Sequence, residues 1–159
     1  MKICIYGAGA VGGLMAGWLA RAGHAVSVVA RGANLTAIRA KGLRVRSAGK
    51  EIAYPVTADS DTAKLGAQDC VIVAVKGQSL AEVARGVGPL LGAGTSVVTA
   101  MNGVPWWFLQ PDDAQPLASV DPQGLIAETI PLAQTLGAVV HLTCFSTAPG
   151  EVRHGFGER

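Results

Sequence analysis

Aromatic residues are scarce in this chain, 5% of 159 residues, and charged residues make up only 15%. Half of the chain is nonetheless apolar, built mainly from small residues: 26 Ala and 21 Gly, joined by Val and Leu. A disordered chain is poor in aliphatics and rich in charge, so that class is excluded. No apolar stretch reaches the roughly 18 uninterrupted residues that a membrane-spanning helix needs. A dense basic run is missing too. The 13 Lys and Arg against 11 Asp and Glu leave a net charge of +2, with Arg39, Lys41, Arg44 and Arg46 scattered rather than clustered. Nucleic acid calls for a denser basic face than that. The three cysteines (Cys4, Cys70 and Cys144) are odd in number, lack metal-type spacing and sit in apolar runs. They read as reduced core residues of a cytoplasmic protein. His24, His141 and His154 are too far apart in sequence to suggest a metal site, and no Ser/His/Asp or Cys/His arrangement stands out. Met1-Lys2 leads straight into a strand-like segment, which leaves no expected room for a signal peptide.

What is present is organised as strands alternating with helices. A chain of this length suffices for one domain that buries about 70% of its unfolded-state surface. Lys2 to Tyr6 is a strand-length apolar run, followed at once by Gly7-Ala8-Gly9-Ala10-Val11-Gly12. Val11, Leu14, Met15, Trp18, Leu19 and Ala22 then recur at the spacing of one helix face. Gly23 is placed to end that helix, and Ala25 to Ala30 is a second apolar run. Strand, turn, helix and strand thus make one βαβ unit. Beyond it, Leu35 to Lys41 predicts a short helix closed by Gly42. Leu43 to Ser47 and Glu51 to Val56 predict strands around an Ala48-Gly49-Lys50 turn. Asp69 to Val75 and Thr95 to Met101 read as buried strands, with a helix over Ser79 to Val87 between them. Pro105 to Gln123 reads as a loop with at most a short helix. Gly137 to Phe145 is strand-like, and Pro149-Gly150 turns the chain into Glu151 to His154. The expected fold is therefore α/β, a Rossmann-type doubly wound, mostly parallel sheet with helices on both faces. The final Gly155 to Arg159 stretch has no closing helix and reads as a cut rather than a natural finish.

The glycine turn carries the chemistry. A lone GxGxxG is weak, but here it follows a strand, opens a helix and lies inside a βαβ unit. Gly7 permits a tight turn, Gly9 lets backbone approach a pyrophosphate, and Gly12 lets helix and strand pack closely. The bland alternative is a loop that serves packing alone. At the end of the second strand, where NAD sites usually carry Asp or Glu for the ribose 2′-hydroxyl, this chain has Arg31, with Asn34 nearby and no acid from residue 13 to residue 50. A guanidinium pairs with a 2′-phosphate that a carboxylate would repel, so NADP is the expected cofactor, against the alternative of a solvated surface Arg. Lys76 and Asn102 follow two buried strands, at the edge where α/β sheets bind ligands. Taken singly, Lys76 reads as readily as an ordinary exposed Lys, and Asn102-Gly103 is more often a plain turn. Trp106-Trp107-Phe108 can wall a nicotinamide pocket, pack as core or meet another domain, with packing favoured.

Together, GAGAVGG after KICIY, Arg31 at the end of the second strand, VAVKGQ around Lys76, AMNGVPWW around Asn102 and the APGEVRHGFGER tail resemble the ketopantoate reductase family (2-dehydropantoate 2-reductase) over essentially the whole chain. The resemblance implies NADPH-dependent reduction of 2-dehydropantoate to (R)-pantoate, a step toward pantothenate and coenzyme A. It implies that Gly7, Ala8, Gly9, Ala10, Val11 and Gly12 hold the pyrophosphate and that Arg31 holds the 2′-phosphate. It also implies that Lys76 contacts the cofactor and that Asn102 touches both cofactor and substrate. A small residue before the Pro-Gly turn, placed at Ser146 by counting back from Gly150, also lines the cofactor in this pattern. Gln78 stands two residues after Lys76, where many family members have a Gln three after the lysine, so its adenine contact is open. The family's second, helical domain carries the lysine that protonates the developing alkoxide and a glutamate near the substrate. No segment here corresponds to that domain, so residues 1–159 are expected to form a single NADP-binding domain with no catalytic residue of its own. Such a chain is expected to bind NADPH but to have little or no reductase activity alone; its oligomeric state is left open, a homodimer of the full-length protein being one option. The alternatives are a reductase of another 2-keto acid on the same fold and a stand-alone NADP-binding or regulatory module.

Overall fold

The computed structural model describes residues 1–110 and 117–157; part of the expected Pro105 to Gln123 loop therefore lies outside the described residues. Its centre is a six-stranded, wholly parallel sheet. The strands are β1 (Lys2–Tyr6), β2 (Ala25–Val29), β5 (Thr57–Asp59), β6 (Cys70–Val73), β7 (Ser96–Ala100) and β8 (Thr135–Ala138). Their spatial order is β5-β2-β1-β6-β7-β8. Counting only these six strands, that is the 3-2-1-4-5-6 order of dinucleotide-binding sheets, and the crevice opens where the order reverses, between β1 and β6.

Period-two alternation divides the core between the two faces. Ile3 and Ile5 of β1 join Val26 and Val28 under α1 (Ala10–Arg21). Cys4 joins Val71, Val73 and Val97 on the opposite face, beneath α3 (Leu80–Val87) and α4 (Leu125–Thr129). Both faces are covered, which is why these strands read as near-continuous apolar runs. The remaining helix, α2 (Gly32–Lys41), starts three residues earlier than its apolar pattern predicts. It ends at Gly42, whose φ of +72° is the left-handed conformation that suits glycine.

A second sheet was not foreseen. It contains β3 (Leu43–Ser47), β4 (Lys50–Tyr54), β9 (Thr143–Ala148) and β10 (Glu151–Phe156), in the order β4-β3-β10-β9. β10 lies parallel to β3, with Val152 opposite Val45, while the other two pairings are antiparallel. This sheet packs on the far side of α1, so the helix is held between two sheets. A Cβ on Gly13 would come within 2.7 Å of Val152, and one on Gly17 within 2.5 Å of Val45. Glycine inside a helix costs roughly 1 kcal/mol relative to alanine. Here it allows β-sheet packing closer than any side chain would permit. One expected strand ends two residues early, with an unforeseen strand after it, and another is divided. Pro55 has no N–H to continue a ladder, so β4 stops at Tyr54 and β5 begins afresh at Thr57 in the other sheet. The predicted strand from Gly137 to Phe145 breaks at residues 139–142, where the chain crosses from β8 in the parallel sheet to β9 in the second.

The core position of Cys4 has a pH consequence. Burial pushes its thiol up to about 11 from an ordinary 9.0, opposed in part by hydrogen bonding to Ser27 and to the Val29 backbone. The unfolded chain therefore ionises first as pH rises. The stability tied to this thiol is fully present below pH 9 and is lost as pH climbs toward 11, to the extent of about 2–3 kcal/mol. Urea midpoints between pH 8 and 10.5 should fall more steeply in the unsubstituted protein than in Cys4→Ala. Parallel curves would remove Cys4 as the cause.

Candidate functional site

The three glycines of the first turn are needed for three different reasons. Gly7 has φ +107°, and its N–H donates to the Val29 carbonyl at 3.2 Å, tying the turn to β2. Gly9 caps α1 with extended backbone and no side-chain hydrogen bond, and a Cβ there would meet nothing within 4 Å. That open space faces the cleft, leaving room for a ligand to approach the backbone. Gly12 is the reverse case: its Cβ would lie 2.0 Å from the Gly7 carbonyl oxygen and 3.0 Å from Ile5. The first intrahelical bond runs from the Gly13 N–H to the Gly9 carbonyl at 2.8 Å. The N–H groups of Ala10, Val11 and Gly12 before it have no helical partner, and the first turn of α1 holds no acid to compete for them. An uncapped helix start with an open glycine in front of it fits a diphosphate.

A cleft of about 510 Å³ lies beyond the C-terminal ends of β1, β6 and β7. Gly9, Ala10 and Val11 form one wall, Val75-Lys76-Gly77 the floor after β6, and Met101-Asn102 with Val140 and Leu142 the far side. Lys76 is exposed and is the only charged side chain among the described lining residues. Its carbonyl accepts from the Ser79 N–H at 2.8 Å as the chain turns through a 3-10 segment (Gly77–Ser79) that carries the exposed Gln78. Asn102 is committed to the neighbouring chain. Its Nδ2 donates to the Val140 carbonyl at 2.8 Å, and its Oδ1 accepts from the Val140 N–H at 2.7 Å. One amide N–H and one carbonyl lone pair remain for a ligand. The Asn102–Val140 pairing also fixes the crossing segment between β8 and β9 at the rim of the cleft.

A smaller cleft continues on the other side of the glycine turn, lined by Tyr6, Gly7, Val29, Arg31, Ser79 and Glu82 among others. Arg31 is extended at the N-terminus of α2, and its guanidinium forms an ion pair with Glu82 of α3. The Tyr6 hydroxyl beside them has a raised pKa, first through burial and then through the Glu82 charge, with Arg31 opposing.

Of the residues singled out from sequence, Gly9, Ala10, Val11, Lys76 and Asn102 line the larger cleft, while Gly7 and Arg31 line the smaller. Gly12 is buried beneath the turn, and Ala8 sits in it. Ser146 is not brought to either cleft. It is exposed on β9 opposite Val152, and the lining positions from this part of the chain are Val140 and Leu142. Counting back from Gly150 fails because β9 belongs to the second sheet, and only the segment that enters it passes the cleft. Trp106 is fully buried against the α3 face of the core. Trp107 lies over Gly137 of β8, and Phe108 is exposed, so the cluster packs rather than lines the cleft. Sequence reasoning gave Asn34 no task. Its Nδ2 donates to the Ala8 carbonyl at 3.2 Å, and its Oδ1 accepts from the Gly150 N–H at 2.9 Å. It thereby ties the glycine turn to the β9–β10 turn, a contact across 116 residues that no local pattern signals. Among the described residues no three His, Cys, Asp or Glu side chains converge as a metal site, and no helix is long and apolar enough to cross a membrane.

A parallel sheet in this strand order, with a three-glycine turn at the mouth of its crevice, is a domain of the Rossmann class. The chain belongs to the ketopantoate reductase family: the model for ketopantoate reductase PanE/ApbA matches residues 3–159. It is 46% identical over 164 residues to a 2-dehydropantoate 2-reductase of Mesorhizobium japonicum, covering 100% of this chain and 50% of that protein. Among solved structures, it is similar to a candidate ketopantoate reductase from Ralstonia solanacearum MolK2, with 54% identity and a TM-score of 0.92, over 98% of this chain and 49% of that one. A PanE/ApbA family ketopantoate reductase from Ralstonia eutropha JMP134 matches at 31% identity and a TM-score of 0.75, over 97% of this chain and 46% of that one. The chain thus spans about half the length of these relatives. The family implies a nicotinamide cofactor, and the open, uncapped glycine turn is compatible with one.

Proposed function

We propose that this chain is the NADPH-binding half of a 2-dehydropantoate 2-reductase, which reduces ketopantoate to (R)-pantoate. The observation that carries the cofactor choice is the basic side chain of Arg31 at the end of β2, in the cleft next to the glycine turn, where an NAD site would carry an acid. A bound nicotinamide cofactor supplies the hydride for reducing a carbonyl. This chain's own residues bind and orient. The unpaired N–H groups at the start of α1 and the positive end of its dipole receive the diphosphate. Arg31 pairs with the 2′-phosphate, Lys76 contributes a cation beside the cofactor, and Asn102 offers its remaining amide N–H at the nicotinamide end. Holding donor and carbonyl at attack distance is worth several kcal/mol, but reduction also needs a proton for the forming alkoxide. The reading assigns that proton donor to no residue of this chain and expects little reductase activity from it alone.

Calorimetric titration with NADPH and with NADH tests the cofactor assignment. NADPH should bind at least tenfold more tightly, about 1.4 kcal/mol, and Arg31→Ala should remove that preference. Equal binding of the two nucleotides would return Arg31 to the status of a surface residue and favour an NAD enzyme. Substrate identity is tested by joining this chain to the rest of its enzyme and screening 2-keto acids. Turnover of bulkier 2-keto acids without ketopantoate would replace the pantoate assignment.

A further inference from the structure

We propose that Glu82 sets the balance between NADPH and NADH by competing with the 2′-phosphate for Arg31. The inference rests on the cofactor reading above and adds a specificity-determining residue to it. Arg31 stands at the end of β2 and Glu82 in the first turn of α3, on opposite walls of the smaller cleft, and their side chains form an ion pair across it. Both are open to solvent, with 68% of the Arg31 side chain and 52% of the Glu82 side chain exposed, so a ligand can reach either.

In an NAD site the acid comes from the end of the second strand and accepts from the ribose 2′-hydroxyl. Here a cation holds that position, and an acid is delivered instead from α3, 51 residues later. Glu82 is the acid among the described residues that line this cleft. The nearest alternatives are engaged elsewhere: Asp59 pairs with Arg39, and Asp61 accepts from the Ala63 N–H at 3.0 Å. A 2′-phosphate on the Arg31 Nη1 that Glu82 holds has to displace the carboxylate, and on the remaining guanidinium N–H groups it shares the cation with a negative neighbour. The 2′-hydroxyl of NADH faces no such conflict, because it can donate to Glu82 while the ion pair stays intact. Glu82 thus lowers affinity for NADPH and supports NADH, narrowing a preference that Arg31 alone would make wide.

An exposed ion pair is weak enough for a ligand to displace, so the effect is modest and measurable. Glu82→Gln keeps the size and exposure of the side chain and removes its charge. Dissociation constants for NADPH and NADH are measured by calorimetry for the unsubstituted protein, Glu82→Gln, Arg31→Ala and the double variant. Glu82→Gln should tighten NADPH on the order of three- to fivefold, the upper part of the range for an exposed pair, and leave NADH unchanged or weaker. The gain should shrink in the Arg31→Ala background, because the competition has been removed, and fade at high salt. An unchanged NADH-to-NADPH ratio in Glu82→Gln overturns the proposal, as does weaker NADPH binding, which would make Glu82 a support that aims Arg31. If the unsubstituted protein shows no NADPH preference and Arg31→Ala changes nothing, the cofactor reading fails and this inference falls with it. A preference that Arg31→Ala abolishes but Glu82→Gln leaves untouched refutes the inference alone.

Discussion

Gly12→Ala should destabilise the folded chain by about 3 kcal/mol, the upper part of the range for overpacking, and abolish nucleotide binding. The added Cβ would lie 2.0 Å from the Gly7 carbonyl oxygen, a backbone atom that cannot rotate away as a side chain does. Relief requires α1 to move off β1. That movement is opposed from behind, because the second sheet presses Val152 and Val45 against Gly13 and Gly17 on the helix's other side. Gly9→Ala is the matched control: it adds the same methyl group where nothing lies within 4 Å, at a φ of −80° that alanine tolerates. It should fold normally and yet bind NADPH poorly, because its methyl group takes up space at the mouth of the cleft. Urea denaturation and nucleotide titration of both variants separate the two roles. A Gly12→Ala protein as stable as the unsubstituted one would mean that the helix is not clamped between the sheets. Normal NADPH binding by Gly9→Ala would move the diphosphate away from this turn.

The second large effect is expected at Trp106. Trp106→Ala should cost about 3–5 kcal/mol, as for other fully buried large aromatics, while the fraction that remains folded binds nucleotide normally. Trp106 is completely buried and packs in the cluster that includes Leu80, Val83, Ile126 and Ile130, so its removal leaves a cavity between the sheet and α3 and α4. Trp107→Ala should cost less, because that indole is only partly buried, and the structure places it over Gly137. Denaturant midpoints give the stabilities and calorimetry the affinities. Weak NADPH binding by Trp106→Ala with little loss of stability would restore the reading of this cluster as a nicotinamide wall.

The division between what sequence and structure reveal follows from the range of the forces involved. The first βαβ unit is legible because every signal in it is local. Strand alternation, helix periodicity and the φ requirement at Gly7 lie within thirty residues and agree with one another. The same holds for β6 and β7, whose apolar runs predict parallel strands and whose ends predict Lys76 and Asn102 at the cleft. The second sheet is not legible, since β10 finds β3 more than a hundred residues away, and neither strand's pattern names its partner. That pairing makes Gly13 and Gly17 necessary and takes Ser146 away from the cleft. Asn34 and Glu82 were hidden for the same reason: their partners, Gly150 and Arg31, are 116 and 51 residues distant. By itself, then, the sequence determined the glycine turn, the strand and helix types and the basic residue at the end of β2, all properties of neighbouring residues. Tertiary structure alone decided which strands share a sheet and which acid faces Arg31, because those depend on the path of the whole chain through space.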